Sequence, residues 1–131
     1  MVYLNDRVLD FGLSVLDLEA DRIDICSQEP ATYSEATTGG TYSLGNKDHG
    51  ASGTAFGSIG DGTPSGRKVS STSVTDGSVT NTGTASHYAV TDTTAARLLA
   101  ANTLSSSQAV TSGNTFTLAS FDIRIPDAGG S

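Results

Sequence analysis

Few residues in this chain have the types and spacing that chemistry needs. It has one cysteine, Cys26, and two histidines, His49 and His87, against fourteen Asp and Glu residues. Asp48-His49 with Asp61 comes nearest to a metal-ligand set, but the spacing matches no ligand template and glycine-rich chain runs between them, so a solvated loop is the expected role. Cys26 has no base close to it in sequence, and each histidine stands singly, which argues against a thiol nucleophile. No GxSxG elbow, Walker A loop, GxGxxG leading into a helix, HExxH, CxxC or EF-hand loop occurs. The run from Gly45 to Gly66 shares only its glycines with a phosphate loop, since it lacks the closing GK[ST] and no hydrophobic strand leads into it. A carboxylate pair for glycoside hydrolysis is a matter of three-dimensional separation, and nothing in the sequence favours one. No catalytic, metal or cofactor-binding residue is assigned, no cofactor is expected, and the chain reads as other than an enzyme.

Composition narrows the partners. With a net charge of -7 and only seven Lys and Arg residues, a phosphate backbone finds little to bind, so nucleic acid is not an expected partner. Gly66-Arg67-Lys68 is the one basic cluster and reads as a solvated strand start. Asp6, Arg7 and Asp10 break up any leader-like apolar core, and no run approaches the roughly 20 apolar residues of a membrane span, so a soluble protein made in a cytosol, without a membrane partner, is expected. One cysteine excludes an internal disulfide. At 131 residues and 36% hydrophobic content without tryptophan, a single domain with a thin core is expected, and self-association is the natural way for it to gain stability.

The elements that would position any site follow from periodicity. Asn5 to about Leu16 has Val8, Leu9, Gly12, Leu13 and Leu16 at helical spacing and reads as a short helix within an N-terminal arm, residues 1–20, that covers one end of a β-core or docks on a partner. Arg22 to Ser27 alternates as a half-buried strand, with Ile23 and Ile25 inward and Cys26 on the opposite face. There Cys26 is either an inert buried thiol or a subunit contact able to form an intermolecular disulfide. A brief strand is expected at Thr41 to Leu44, followed by a long glycine-rich surface loop over 45–66. In that loop Phe56 and Ile59 form an exposed apolar pair, available either to a neighbouring subunit or to their own domain. From 67 to 126 the pattern is strand and turn: Lys68 to Val74, a hairpin at Asp76-Gly77, Ser78 to Thr84, His87 to Thr91, a turn over Asp92 to Ala96, Arg97 to Ala101, Ser105 to Val110, and a turn at Ser112-Gly113-Asn114. The last stretch, Ser112 to Pro126, reads as a long buried strand. Its apolar face changes parity between Phe116 and Leu118 on one side and Phe121, Ile123 and Ile125 on the other, so it should serve two sheets. Asp122 and Arg124 then share a face and are candidates to pair. The expected fold is mainly β, an antiparallel sandwich or barrel, jelly-roll-like, with a short N-terminal helix.

Several of these phrases resemble small virion proteins of tailed bacteriophages. They are the strand ending His87-Tyr88-Ala89-Val90-Thr91-Asp92 (HxAxxD), the run Leu98 to Leu104 (LLAxxxL), and the turn Val110 to Thr117 (V-x-SGNTFT). Tyr88 stands where many such proteins carry Trp. The opening YLNDRVLDFGLSVLD and the phrase RIDICSQEP are similar to N-termini of proteins from phages and prophages of alphaproteobacteria. The resemblance implies a structural protein of the virion, located on the capsid surface and synthesised in the bacterial host cytoplasm. It implies a capsid decoration (cement) protein, with the major capsid protein as partner and self-association as a homotrimer. A minor tail or fibre component, or a carbohydrate-binding or carbohydrate-active β-sandwich, are the other roles considered. Val2, Tyr3, Leu4, Phe56 and Ile59 are the candidate partner contacts.

Overall fold

The computed structural model describes residues 3–4, 12–50, 55–57, 59–61 and 66–125. Val2, residues 5–11 of the expected N-terminal helix, parts of the glycine-rich run and the tail from Pro126 lie outside the described residues. Among the described residues, ten strands and two short helices follow in order: β1 (Tyr3–Leu4), α1 (Ser14–Glu19), β2 (Arg22–Cys26), α2 (Tyr33–Thr37), β3 (Ser43–Asp48), β4 (Gly60–Asp61), β5 (Arg67–Ser70), β6 (Val74–Val79), β7 (Gly83–Asp92), β8 (Arg97–Val110), β9 (Thr115–Leu118) and β10 (Asp122–Ile125). They form a seven-stranded sheet, β1-β8-β7-β2-β3-β6-β9, and a three-stranded sheet, β10-β5-β4. All pairings between these strands are antiparallel, and the curled sheets make a half-barrel, within the sandwich-or-barrel class expected from the sequence. Among the described residues no helix is long and apolar enough to cross a membrane.

The main core lies between the sheets. Leu16 from α1, Ile23 from β2, Val69 from β5, Val90 from β7, Leu99 from β8 and Ile123 from β10 are all essentially without solvent contact. β2 is central in the large sheet and is buried on both faces, not half-buried. A second cluster, Cys26, Ala36, Ala89 and Leu98 with Tyr42 against it, covers the outer face. The covering element is α2, which the sequence reading missed. Its start is signalled by Thr32-Tyr33-Ser34-Glu35: Thr32 Oγ1 accepts from the Glu35 N–H at 3.1 Å, and Glu35 Oε1 accepts from the Ala31 N–H at 2.8 Å, a reciprocal cap.

Other boundaries also differ from expectation. Gly12 has φ 81°, in the left-handed region, so it precedes α1 instead of lying inside it, and α1 runs on to Glu19. β3 carries ladder pairing to Asp48, and β4 adds Gly60 and Asp61, so the presumed 45–66 loop contains strand at both described ends. Asp76-Gly77 is not a hairpin turn but lies within β6. Gly77 is paired directly with Phe116 of β9, whose ring lies over it so closely that a Cβ there would collide with ring carbons. Glycine is present for close approach, the other common reason for it inside a strand. The expected Lys68 to Val74 strand ends at Ser70 as β5, in the small sheet. Arg97 to Ala101 and Ser105 to Val110 are one strand of 14 residues, interrupted by a register shift where Ala85 and His87 face Gln108 and Thr103.

The closing stretch does serve two sheets, as two short strands instead of one long one. β9 pairs with β6 in the large sheet and β10 with β5 in the small one, and the intervening 119–121 segment belongs to neither ladder. Phe116 and Ile123 are buried on their respective sheets, which accounts for the parity change. The crossover is pinned at Ser71, whose N–H donates to the Phe121 carbonyl at 2.8 Å and whose hydroxyl accepts from the Phe121 N–H at 3.0 Å. Asp122 turns to the neighbouring strand, accepting from Ser70 Oγ at 2.5 Å and pairing with Lys68 at 3.4 Å.

Candidate functional site

Where β9 leaves one sheet and β10 enters the other, the half-barrel stays open, and a cleft of about 430 Å³ lies between the crossover and β8. Its volume falls within the roughly 300–1,000 Å³ typical of ligand sites. Ile25 and Tyr88 form the buried base. Phe121 stacks on Tyr88, with ring centroids 4.0 Å apart and planes inclined by 29°, and meets Phe56 edge-on at 5.8 Å and 85°. The three rings join the two sheets beneath the cleft. The β8 wall contributes Asn102, Leu104 and Gln108, and the opposite wall Leu118, Ser120 and, at the rim, Asp122.

The polar groups differ in how firmly they are held. The Asn102 side chain accepts from the Thr103 N–H at 2.9 Å, which fixes its orientation. Burial pushes the Tyr88 phenol up to about 12, while Asn102 acts to lower its pKa, so it is neutral at physiological pH. Ser70 and Lys68 hold the Asp122 carboxyl below its usual range, the hydroxyl contributing most. Gln108 and Ser120 are exposed.

The reactive residue types lie elsewhere. Cys26 is fully buried, 3.9 Å from the Ala36 carbonyl, and burial first, then Asp24, pushes its thiol up to about 12, so it is protonated and shielded. Asp24 beside it is buried, ion-paired to Arg22 at 2.6 Å and hydrogen-bonded by Ser43 Oγ at 2.6 Å; burial nonetheless pushes its carboxyl upward. His49 Nε2 lies 3.3 Å from Thr72 Oγ1, and Asp61 is paired with Arg67 instead. Among the described residues, no three His, Cys, Asp or Glu side chains are grouped to hold a metal ion.

The expected contact residues lie on different elements. Tyr3 and Leu4 form β1, opposite Ala101 and Ala100 at the edge of the large sheet. Phe56 is 4% exposed and Ile59 is partly buried against the same core, so the pair expected to be exposed packs on its own domain. Aromatic packing has the stronger claim on Phe56 because Phe121 and Tyr88 already form a ring surface next to it. The cleft residues Asn102, Gln108 and Ser120 were not singled out from sequence. Their only signals are the parity change at Ala119-Ser120 and the absence of any charged side chain from Leu98 to Phe121. No protein-family profile, curated protein or solved structure matches this chain.

Proposed function

We propose that this chain is a structural virion protein of a tailed bacteriophage, a decoration (cement) protein that binds the outer capsid surface as a homotrimer and ties adjacent major capsid subunits together. The sequence phrases described above support this reading, and one structural observation carries it further. The distal half of β8 is exposed from Ser105 to Ala109 and carries no charge. Among the described residues Gln108 to Val110 pair with β7 beyond the register shift, while β1 covers the other side of β8 only at Ala100 and Ala101. Long uncharged edges are templates for strand addition, and this one carries neither Lys nor Pro, only the register shift between Thr103 and Gln108. An edge left in this state fits a chain whose working form is an assembly. Each copy then contributes a modest contact, and repetition over a symmetric shell multiplies it.

A reconstruction of the particle carrying this chain tests the proposal. Density for it on the capsid exterior, on the order of hundreds of copies per particle, is the expected result. About a dozen copies or fewer, placed at the tail, would replace it with the tail or fibre reading.

A further inference from the structure

The cleft beside β8 has a lining chemistry of its own, independent of where the chain sits in a particle. From this lining we infer that the cleft binds a neutral saccharide of one or two hexose units.

Charge excludes most other small polar ligands. None of the lining residues is cationic, so phosphate, sulfate and carboxylate groups meet no counter-charge. Asp122, the single carboxylate, sits at the rim and is already engaged by Ser70 and Lys68, which leaves it as an acceptor and not as a repelling free charge.

What remains suits a ligand covered with hydroxyls. A sugar hydroxyl both donates and accepts, and amide side chains offer both roles at fixed geometry. Asn102 is pre-oriented by the Thr103 N–H, and Gln108 extends from the same wall. Facing them, Ala119 and Ser120 belong to neither sheet, so their peptide groups are not committed to a ladder. The base is apolar: Phe121 and Leu118, both partly exposed and backed by buried Tyr88 and Ile25, offer a surface against which the C–H face of a pyranose can lie. A cleft of about 430 Å³ accommodates a ring or two and not a long chain.

The test is an amide-resolved NMR titration of the intact chain with maltose, lactose, cellobiose, mannobiose and chitobiose, with galacturonic acid and AMP as charged controls. The expected result is saturable binding of at least one neutral disaccharide, with shifts centred on Asn102, Gln108 and Ser120. The charged controls should leave these amides unmoved. Gln108→Ala, at an exposed position, should weaken binding about tenfold. Ser120→Trp, which fills the cleft from the crossover, should abolish it while the thermal midpoint stays near that of the parent. Three results would overturn the inference: no neutral sugar shifting these amides at tens of millimolar, equal or stronger binding of a charged control, or unchanged affinity in both variants.

Discussion

At Gly77 a hydrogen in place of a side chain lets the Phe116 ring cross the strand and join the core. Gly77→Ala should therefore destabilise the fold by about 1–3 kcal/mol, the usual cost of forcing extra volume into a packed site, read as a lower urea midpoint at unchanged slope. The double variant Gly77→Ala with Phe116→Leu should recover part of the loss; additive effects would mean that the two sites do not share this contact. His49 makes a different kind of contribution. Burial, then Lys47, lowers its pKa below 6.5, against the opposing pull of the Asp21 carbonyl, Asp48 and Asp76, and its Nδ1 is buried without a partner. The unfolded chain therefore binds the proton first, and stability falls as pH drops from 6.5 toward the lower folded value. Asp24, raised by burial, has the opposite slope, because protonation favours its folded form. Urea titrations of the parent and His49→Gln between pH 7 and 5 separate the two, since the variant should lose the acid-side decline. An unchanged decline would assign it to other groups.

Among the elements, the turn between β7 and β8 depends on a residue far from it in sequence. Asp21, 3% exposed, accepts from the Thr93 N–H at 2.9 Å and from Thr93 Oγ1 at 2.8 Å. The Asp21 backbone also donates to the Thr91 carbonyl and accepts from the His49 N–H, so one residue ties the start of β2 to the ends of β7 and β3. Asp21→Ala should cost about 1–3 kcal/mol, because two donors lose a charged acceptor, and Asp21→Asn should recover part of it. Thermal unfolding of the two variants beside the parent checks the order. The turn at Asp92 to Ala96 was legible because Asp92 caps it locally, accepting from the Thr94 N–H at 3.0 Å and the Ala95 N–H at 3.3 Å. The dependence on Asp21 was not, since its partner lies 72 residues away. For α2 the capping signature was present in the sequence, yet with Ala36 as its one buried residue the helix has too little apolar periodicity to stand out.

For the whole molecule, strand alternation and turn residues determined the antiparallel β class, the turns at Asp92 to Ala96 and Ser112 to Asn114, and the change of sheet within the last strand stretch. All of these are written in neighbouring residues, because side-chain parity and turn geometry are local properties. Which strands pair was decided only on folding. Asp76-Gly77 has the local form of a hairpin, but the burial gained by Phe116 against β6 outweighs that preference. The missed second face of β2, the burial of Phe56 and the cleft itself have the same origin. Each is made by segments distant in the chain, so their shape and burial exist only once the two sheets have closed around a common core.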